Sequence, residues 1–240
     1  MDGQRIFAVA VQYLLLLVSL SAREAFKART AELCGDSTGR LLGRVSLNPL
    51  RHLELVGSII LPVILIAAGF LASRSAIEPI LVFGWGRQVP VLEKNLRQPY
   101  RDGLLIAAAG PFCSFVLVLL GAGALLAAVR LTGPAGQQAA QWALTQEWQH
   151  AGAPHFPLMF TLIGLVTVNI FLTAFHLIPL PALDGGKIAL HLLPPDWAAK
   201  LAAIRPAGFM IGLALALLVV GMLVVPISLG ILNVLIQFFG

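Results

Sequence analysis

The sequence contains few charged residues: Asp, Glu, Lys and Arg make up only 11% of its 240 residues, and 58% are hydrophobic. A soluble domain carries roughly 25% charged residues. It has only two cysteines, Cys34 and Cys113, and they lie at no metal-ligand spacing. These shortages exclude a soluble globular protein and a disulfide framework, and they predict an integral membrane protein.

Several catalytic and binding signatures are also missing from the sequence. No Ser/His or Cys/His nucleophile and base pair stands out, and there is no glycine-rich phosphate loop. The formal net charge is +5, but the Lys and Arg residues lie beside apolar runs and not among exposed aromatic residues. That placement is typical of loops flanking membrane spans, so nucleic acid is not an expected partner.

Apolar runs of about 20 residues predict an all-α polytopic membrane bundle, a single domain over residues 1–240. The five predicted helical spans are Ile6–Ala22, Val56–Ala72, Gly103–Val129, Phe156–Ile178 and Ala207–Val225.

Three connecting features complete this topology. Ile77–Trp85 is too short for a helical crossing, so we predict a re-entrant or extended segment there. If this segment carries the chain back across the membrane, one side of the membrane holds all Lys and Arg residues except Arg5, Arg74 and Arg130. We expect a polar loop over Thr132–His155, with Trp142 and Trp148 in an interfacial aromatic belt, and a helix break at Pro226 before the last apolar stretch.

The stretch Phe175–Lys187, FHLIPLPALDGGK, places one carboxylate, Asp184, at the end of a long apolar run. An ionisable residue in such a place indicates a functional site. Pro179 and Pro181 cannot continue a helix. Gly185 and Gly186 are predicted to permit a backbone geometry closed to other residues. The stretch therefore predicts a broken helix that presents Asp184.

Four strings of the sequence together resemble the site-2 protease family of intramembrane zinc metalloproteases. They are LIPLPALDGG at Leu177–Gly186, GDSTGRLLGRVSLNPLRH at Gly35–His52, PVLEKNLRQP at Pro90–Pro99 and AAAGP at Ala107–Pro111. The resemblance implies a core in which two membrane helices meet around zinc. One carries HExxH, with the Glu as general base, and the other supplies the Asp of LDG as third ligand.

The sequence departs from this family at the positions that carry the chemistry. Counting back from Gly35 places the HExxH position at Arg23–Lys27, which reads REAFK. Glu24 is retained, but both histidines are replaced, by Arg23 and Lys27, and a guanidinium has no lone pair for a metal. Members of the family usually carry an Asn just before the LIP segment, where this sequence has His176. A second Asn that is usual in the family is replaced near Ser114. Without the resemblance, REAFK would be interpreted as a basic helix end at the membrane surface.

The replacement conserves formal charge. Zinc with two neutral His, one Asp and one Glu sums to zero, and so do Arg23, Glu24, Lys27 and Asp184. Arg23 and Lys27 share one helix face. We therefore expect one or both to reach Asp184 and to join the two helices as the metal would.

The favoured interpretation is a protein that has lost zinc and catalysis and binds the transmembrane segment of a partner within the bilayer. No cofactor is expected. Two alternatives stay open at this point. One is an active intramembrane zinc metalloprotease with Asp184 and His176 on the metal and Glu24 as base. The other is a transporter or channel that uses the polar centre. The expected location is the bacterial inner membrane.

None of the remaining histidines is interpreted as a ligand: a structural role is expected for His52 and an interfacial position for His191. His52 lies in one of the four strings, and His191 follows Asp184 by seven residues. His150 and His155 are loop residues without a partner at ligand spacing.

Overall fold

The computed structural model describes residues 3–72, 83–181, 183–204, 210, 212, 214–215 and 218–239. Four of its helices are long and apolar enough to cross a membrane, and within the described residues there is no strand. The predicted all-α membrane bundle is confirmed. The described α-helices are α1 (Gly3–Leu33), α2 (Thr38–Leu41), α3 (Leu61–Ala72), α4 (Pro99–Leu144), α5 (Phe156–His176), α6 (Asp184–Leu192), α7 (Pro195–Ala202) and α8 (Val225–Phe239).

Helix α1 is a single helix of 31 residues that joins the first apolar run to the charged segment after it. The charged segment continues the helix because Ala, Glu, Lys and Arg are good helix formers. After Leu33 the chain turns at Gly35, whose φ of +115° favours glycine. A Cβ at Gly35 would also lie 2.8 Å from the carbonyl oxygen of Asn95. This turn brings the loop after α1 against the segment before α4.

The predicted span Val56–Ala72 is helical throughout, with a wider π turn at Leu55–Ile60 leading into α3. The carboxylate of Glu54 caps this helix by accepting a bond from the Gly57 N–H. The predicted crossing at Ile77–Trp85 lies largely outside the described residues. From Phe83 to Leu92 the chain has no helical structure.

The predicted polar loop at Thr132–His155 is wrong over its first half. Helix α4 continues to Leu144 with a kink at Gly133, where φ is 60° and ψ is −148°. Pro134 then begins a second helical stretch, a position where its missing N–H costs nothing. Trp148 is also not an interfacial residue: it is 4% exposed and packs edge-on against Phe156 and Phe160.

The C-terminal part differs from the predicted pattern. Seven of the nineteen residues of the predicted span Ala207–Val225 lie outside the described residues, and the twelve that are described are all helical. The break predicted at Pro226 is wrong, because one apolar helical stretch runs over Val220–Phe238. A π turn at Val220–Val224 precedes Pro226, and such a turn accommodates a proline without ending the helix.

Two hydrophobic clusters hold the helices together. One lies between α1, α4, α5 and α8 and is centred on Phe156, Met159 and Val129. The other joins α1, α5, the loop after α5 and Phe83, with Phe175 and Leu172 fully buried. The second cluster supports the polar centre described next.

Candidate functional site

The polar centre is assembled by three helices. Helix α1 supplies Arg23, Glu24 and Lys27, α4 supplies Ser114, and the first turn of α6 supplies Asp184. Arg23 and Lys27 lie one helical turn apart on the same side of α1. We call Arg23, Glu24, Lys27 and Asp184 the ionic cluster.

Asp184 binds both cations of α1. Its Oδ2 lies 2.7 Å from Nη2 of Arg23, and its Oδ1 lies 2.8 Å from Nζ of Lys27. The exposed fractions are 0% for Arg23 and 3% for Asp184. The expected contact of Arg23 and Lys27 with Asp184 is therefore present, and it joins two segments 157 or more residues apart in sequence.

The other groups of the cluster are bonded to neighbouring segments. Arg23 donates a second hydrogen bond from Nη1 to Oγ of Ser114, at 2.8 Å. Glu24 accepts one bond from Nζ of Lys27 at 3.3 Å and one from the Val89 N–H at 3.2 Å. The cluster thus connects α1 to α4, to α6 and to the non-helical segment Phe83–Leu92.

Gly110, in the string AAAGP, allows α4 to approach the cluster. A Cβ at this position would lie 2.8 Å from Oδ2 of Asp184 and 3.1 Å from Nη2 of Arg23. Any side chain larger than hydrogen would therefore press on the ion pair itself. The sequence had indicated Gly110 only as part of the string AAAGP.

Pro179 and Pro181 lie between α5 and α6, so the predicted helix break is confirmed and Asp184 begins α6. Gly185 and Gly186 were predicted to adopt a backbone conformation closed to other residues, and this reason for glycine is wrong. Both are helical, and neither has a positive φ. They are needed for space: a Cβ at Gly185 would lie 2.2 Å from the Leu177 oxygen, and one at Gly186 would lie 1.9 Å from the Leu180 oxygen.

Lys187 is a further cation near the cluster that sequence reasoning missed. It follows Asp184 by three residues, about one turn of α6, and this spacing was the available signal. Its Nζ donates to Oε1 of Gln88 at 3.0 Å. Burial and then repulsion by Lys27 lower the pKa of Lys187 below its ordinary value, although Asp184 and Glu24 act in the opposite direction.

His176, the candidate alternative ligand, is buried at the C-terminal end of α5. Its Nδ1 lies 2.9 Å from the carbonyl oxygen of Leu172, and its ring packs edge-on against Phe175. The ring is thus held by its own helix.

The residues present do not fit a zinc ion of the HExxH kind. Arg23 and Lys27 occupy the two positions that would need neutral nitrogen ligands, and both are used as cations. Both oxygens of Asp184 accept bonds from these cations. Over the described part of the chain, no group of three or more His, Cys, Asp or Glu side chains is placed to hold a metal.

The other histidines lie away from the cluster's contacts. His52 is buried, with Nε2 2.7 Å from the Ser46 oxygen. His191 bonds the Lys187 oxygen through Nδ1. His150 stacks on Trp142, and His155 immediately precedes α5.

The chain is similar to a protein of Bacillus subtilis (strain 168) described as "Putative zinc metalloprotease YwhC". The two are 30% identical over 200 residues, which cover 83% of this chain and 77% of that protein. No family model matches the chain, and no solved structure matches it.

Proposed function

Because the chain belongs to the site-2 protease family of intramembrane zinc metalloproteases, we propose that it is a member that has lost zinc and catalysis and binds the transmembrane segment of a partner protein. In this proposal Arg23, Lys27 and Asp184 occupy the three former ligand positions. Glu24 occupies the position of the general base.

The ionic cluster is the observation that carries the proposal. Two cationic side chains replace the two ligands that would have held a dication, and both bind the remaining carboxylate. A buried charge is tolerated only when it is paired and hydrogen-bonded. Both cations are paired without a metal, and among the polar atoms of the cluster Nε of Arg23 has no hydrogen-bond partner. These residues can therefore join α1 to α6 by themselves.

The retained Glu24 does not supply the missing chemistry. A general base contributes about 10²- to 10⁴-fold to a rate, whereas enzymes accelerate their reactions by about 10⁶- to 10¹⁷-fold. The Glu24 carboxylate also binds Lys27 and the Val89 N–H. We assign it a structural role in holding the segment Phe83–Leu92 against α1.

A groove beside the cluster offers a surface for a partner helix. It is an open depression of about 370 Å³ between α1, α4 and the loop after α2. The groove is lined on α1 by Ala22, Ala25, Phe26 and Arg29, which lie at helical spacing, and elsewhere by Val45, Ser46, Leu47 and Cys113. Small residues such as Ala22 and Ala25 let a second helix approach closely in a membrane. We propose that the partner's transmembrane segment packs here, in the cytoplasmic membrane of a bacterium.

Metal content tests the loss of zinc. We expect the purified protein to contain no near-stoichiometric zinc by elemental analysis, because Arg23 and Lys27 cannot act as ligands while charged. Changing Arg23→His together with Lys27→His should restore uptake, since the two imidazoles would lie one turn apart on the side of α1 that faces Asp184. Arg23→His alone is the control and should bind far less. At zinc concentrations 100 times the dissociation constant, the double variant should gain about 2.7 kcal/mol in stability.

The opposite result would favour an active enzyme. Near-stoichiometric zinc in the unchanged protein, lost on Asp184→Asn, would overturn the proposal and would direct attention to His176. Cleavage of a single-span substrate by the unchanged protein would do the same.

Photo-crosslinking tests the partner surface. A benzoylphenylalanine in place of Phe26, which is 41% exposed in the groove, should crosslink to a membrane-spanning protein in cells. The same group in place of Phe238, which is 78% exposed on α8, is the matched control. Equal adducts at both positions, or none at Phe26, would contradict the proposed groove.

A further inference from the structure

A second cavity lies within the membrane part of the molecule, apart from the ionic cluster and from the groove. It has a volume of about 230 Å³ and is enclosed by α1, α5, the end of α4 and the segment that leads into α8. Most of its walls are apolar, with Phe160 near one end and Leu172 near the other. Neither the family resemblance nor the ionic cluster accounts for this space.

The shape of the cavity limits what it can hold. From Phe160 to Leu172 it follows α5 for twelve residues, a distance of about 18 Å at 1.5 Å per residue. An apolar channel of that length matches one extended hydrocarbon chain, which needs no hydrogen-bond partner along its length.

Two amide side chains in the wall can hydrogen-bond a polar ligand. Gln12 lies within the membrane span of α1, and Gln146 lies just after the end of α4. Both are half-buried, and neither side-chain amide is hydrogen-bonded to any residue that the structure describes. These groups provide donors and acceptors along an otherwise apolar channel.

The backbone of Gln146 adds an independent signal. Its φ is 58°, and within the described residues it is the one residue other than glycine with a positive φ. Glycine is the usual residue at such a position after a helix, and another residue there costs roughly 1–2 kcal/mol. A strained residue whose side chain lines a cavity is a reason to look for a ligand.

We propose that this cavity binds one acyl chain of a membrane lipid, with its ester or carboxyl oxygens hydrogen-bonded to the amides of Gln146 and Gln12. The chain would extend along α5 toward Leu16 and Leu172. Leu16 precedes Arg23 by two turns of α1, and the Leu172 carbonyl bonds His176, so the chain would end near the ionic cluster. The inference goes beyond the proposed function and holds whether or not the protein cleaves peptides.

The cavity wall supplies a variant that fills it without disturbing a helix contact. Gly221 lines the cavity, and a Cβ built there has nothing within 4 Å. Gly230 also has nothing within 4 Å of a built Cβ, but it does not line the cavity. Gly221→Leu should therefore block the acyl chain, and Gly230→Leu is the matched control on the same helical stretch.

The experiment measures saturable binding of radiolabelled palmitate to the purified full-length protein in detergent. We expect one site per chain, at least tenfold weaker binding in Gly221→Leu and unchanged binding in Gly230→Leu. Gln146→Gly should weaken binding while the unfolding midpoint stays the same or rises, because the strained φ is relieved. Mass spectrometry of co-purified lipid identifies the source. A retained phospholipid displaced by palmitate indicates a lipid tail, and retained free fatty acid alone indicates a soluble amphiphile.

Two results would overturn the proposal. One is the absence of saturable palmitate binding to the unchanged protein after delipidation. The other is equal affinity in Gly221→Leu and Gly230→Leu, which would place the bound chain on the outer surface of the helices.

Discussion

Asp36 and Asp184 are both buried carboxylates that join distant parts of the chain, but their partners differ. Asp36 is 0% exposed and accepts bonds from the Leu92 N–H at 2.9 Å, the Asn95 amide at 2.9 Å and the hydroxyl of Thr38 at 2.5 Å. All of these donors are neutral. Asp184 instead accepts bonds from two full positive charges within the helical bundle.

The charge of the hydrogen-bond donors distinguishes Asp36, which belongs to the scaffold, from Asp184, which belongs to the site. Asp36 connects the loop after α1 with the segment before α4, and these contain two of the four strings that carry the family resemblance. A carboxylate held by neutral donors can lose its charge and leave no other charge unpaired. Asp184 cannot, because its neutral form would leave Arg23 without a carboxylate partner and Lys27 with Glu24 alone. The scaffold is therefore expected to tolerate isosteric changes that the ionic cluster does not.

The largest effect is expected from Asp184→Asn. Removing the negative charge leaves the buried Arg23 without a carboxylate partner and Lys27 with Glu24 alone, so the free energy of unfolding should fall by about 3–5 kcal/mol. Asp36→Asn keeps one oxygen acceptor and strands no charge, and it should cost about 1–2 kcal/mol. Thermal unfolding of both variants in the same detergent checks the comparison. Equal losses, or an unchanged midpoint in Asp184→Asn, would show that the ion pairs do not stabilise the fold.

A smaller loss is expected from Gly110→Ala. Its Cβ would press on Asp184 and Arg23, and overpacking of this kind costs about 1–3 kcal/mol. Gly123→Ala on the same helix is the control, because a Cβ there has nothing within 4 Å. The control should gain about 0.5–1 kcal/mol from the lower flexibility of alanine in the unfolded chain. If both variants unfold at the same midpoint, α4 does not approach the cluster as closely as the structure has it.

The smallest expected effect is the pH dependence of the contribution that Asp36 makes to stability. Burial raises the pKa of Asp36, but the hydrogen bonds from Thr38, Asn95 and Leu92 outweigh it and hold the pKa below its ordinary value of 3.8. A carboxyl whose pKa is depressed by folding contributes stability above its unfolded pKa and loses it as the pH falls through its folded pKa. The gap in unfolding midpoint between the unchanged protein and Asp36→Asn should therefore narrow between about pH 6 and about pH 3. A gap that widens on acidification would contradict the depressed pKa.

Sequence reasoning found the polar centre because charge is rare in this chain. Arg23, Lys27 and Asp184 stand out against apolar surroundings, and helical spacing places the two cations on one side of α1. The break before Asp184 followed from Pro179 and Pro181. The further bonds of the cluster were not predicted: Arg23 donates to the Ser114 hydroxyl, and Glu24 accepts from the Val89 N–H, because the fold brings these groups to the cluster.

The errors arose where a local pattern was taken to decide what packing decides. Thr132–His155 looked like a loop because it is polar, yet Pro134 begins a helical stretch and Trp148 enters the core. Gly185 and Gly186 were expected to adopt a backbone geometry closed to other residues, but both are helical. They are small because backbone oxygens lie within 2.2 Å of any added Cβ.

The sequence by itself determined the class of fold, the location of the charges and the family, because hydrophobic run length, proline positions and motif order are properties of the chain. Only the tertiary structure decided which groups meet. The bond of Arg23 to Ser114, the close approach at Gly110 and the narrow cavity beside Gln12 depend on how helices far apart in sequence pack. Packing is set by the sum of many contacts across the bundle, and no single segment encodes it.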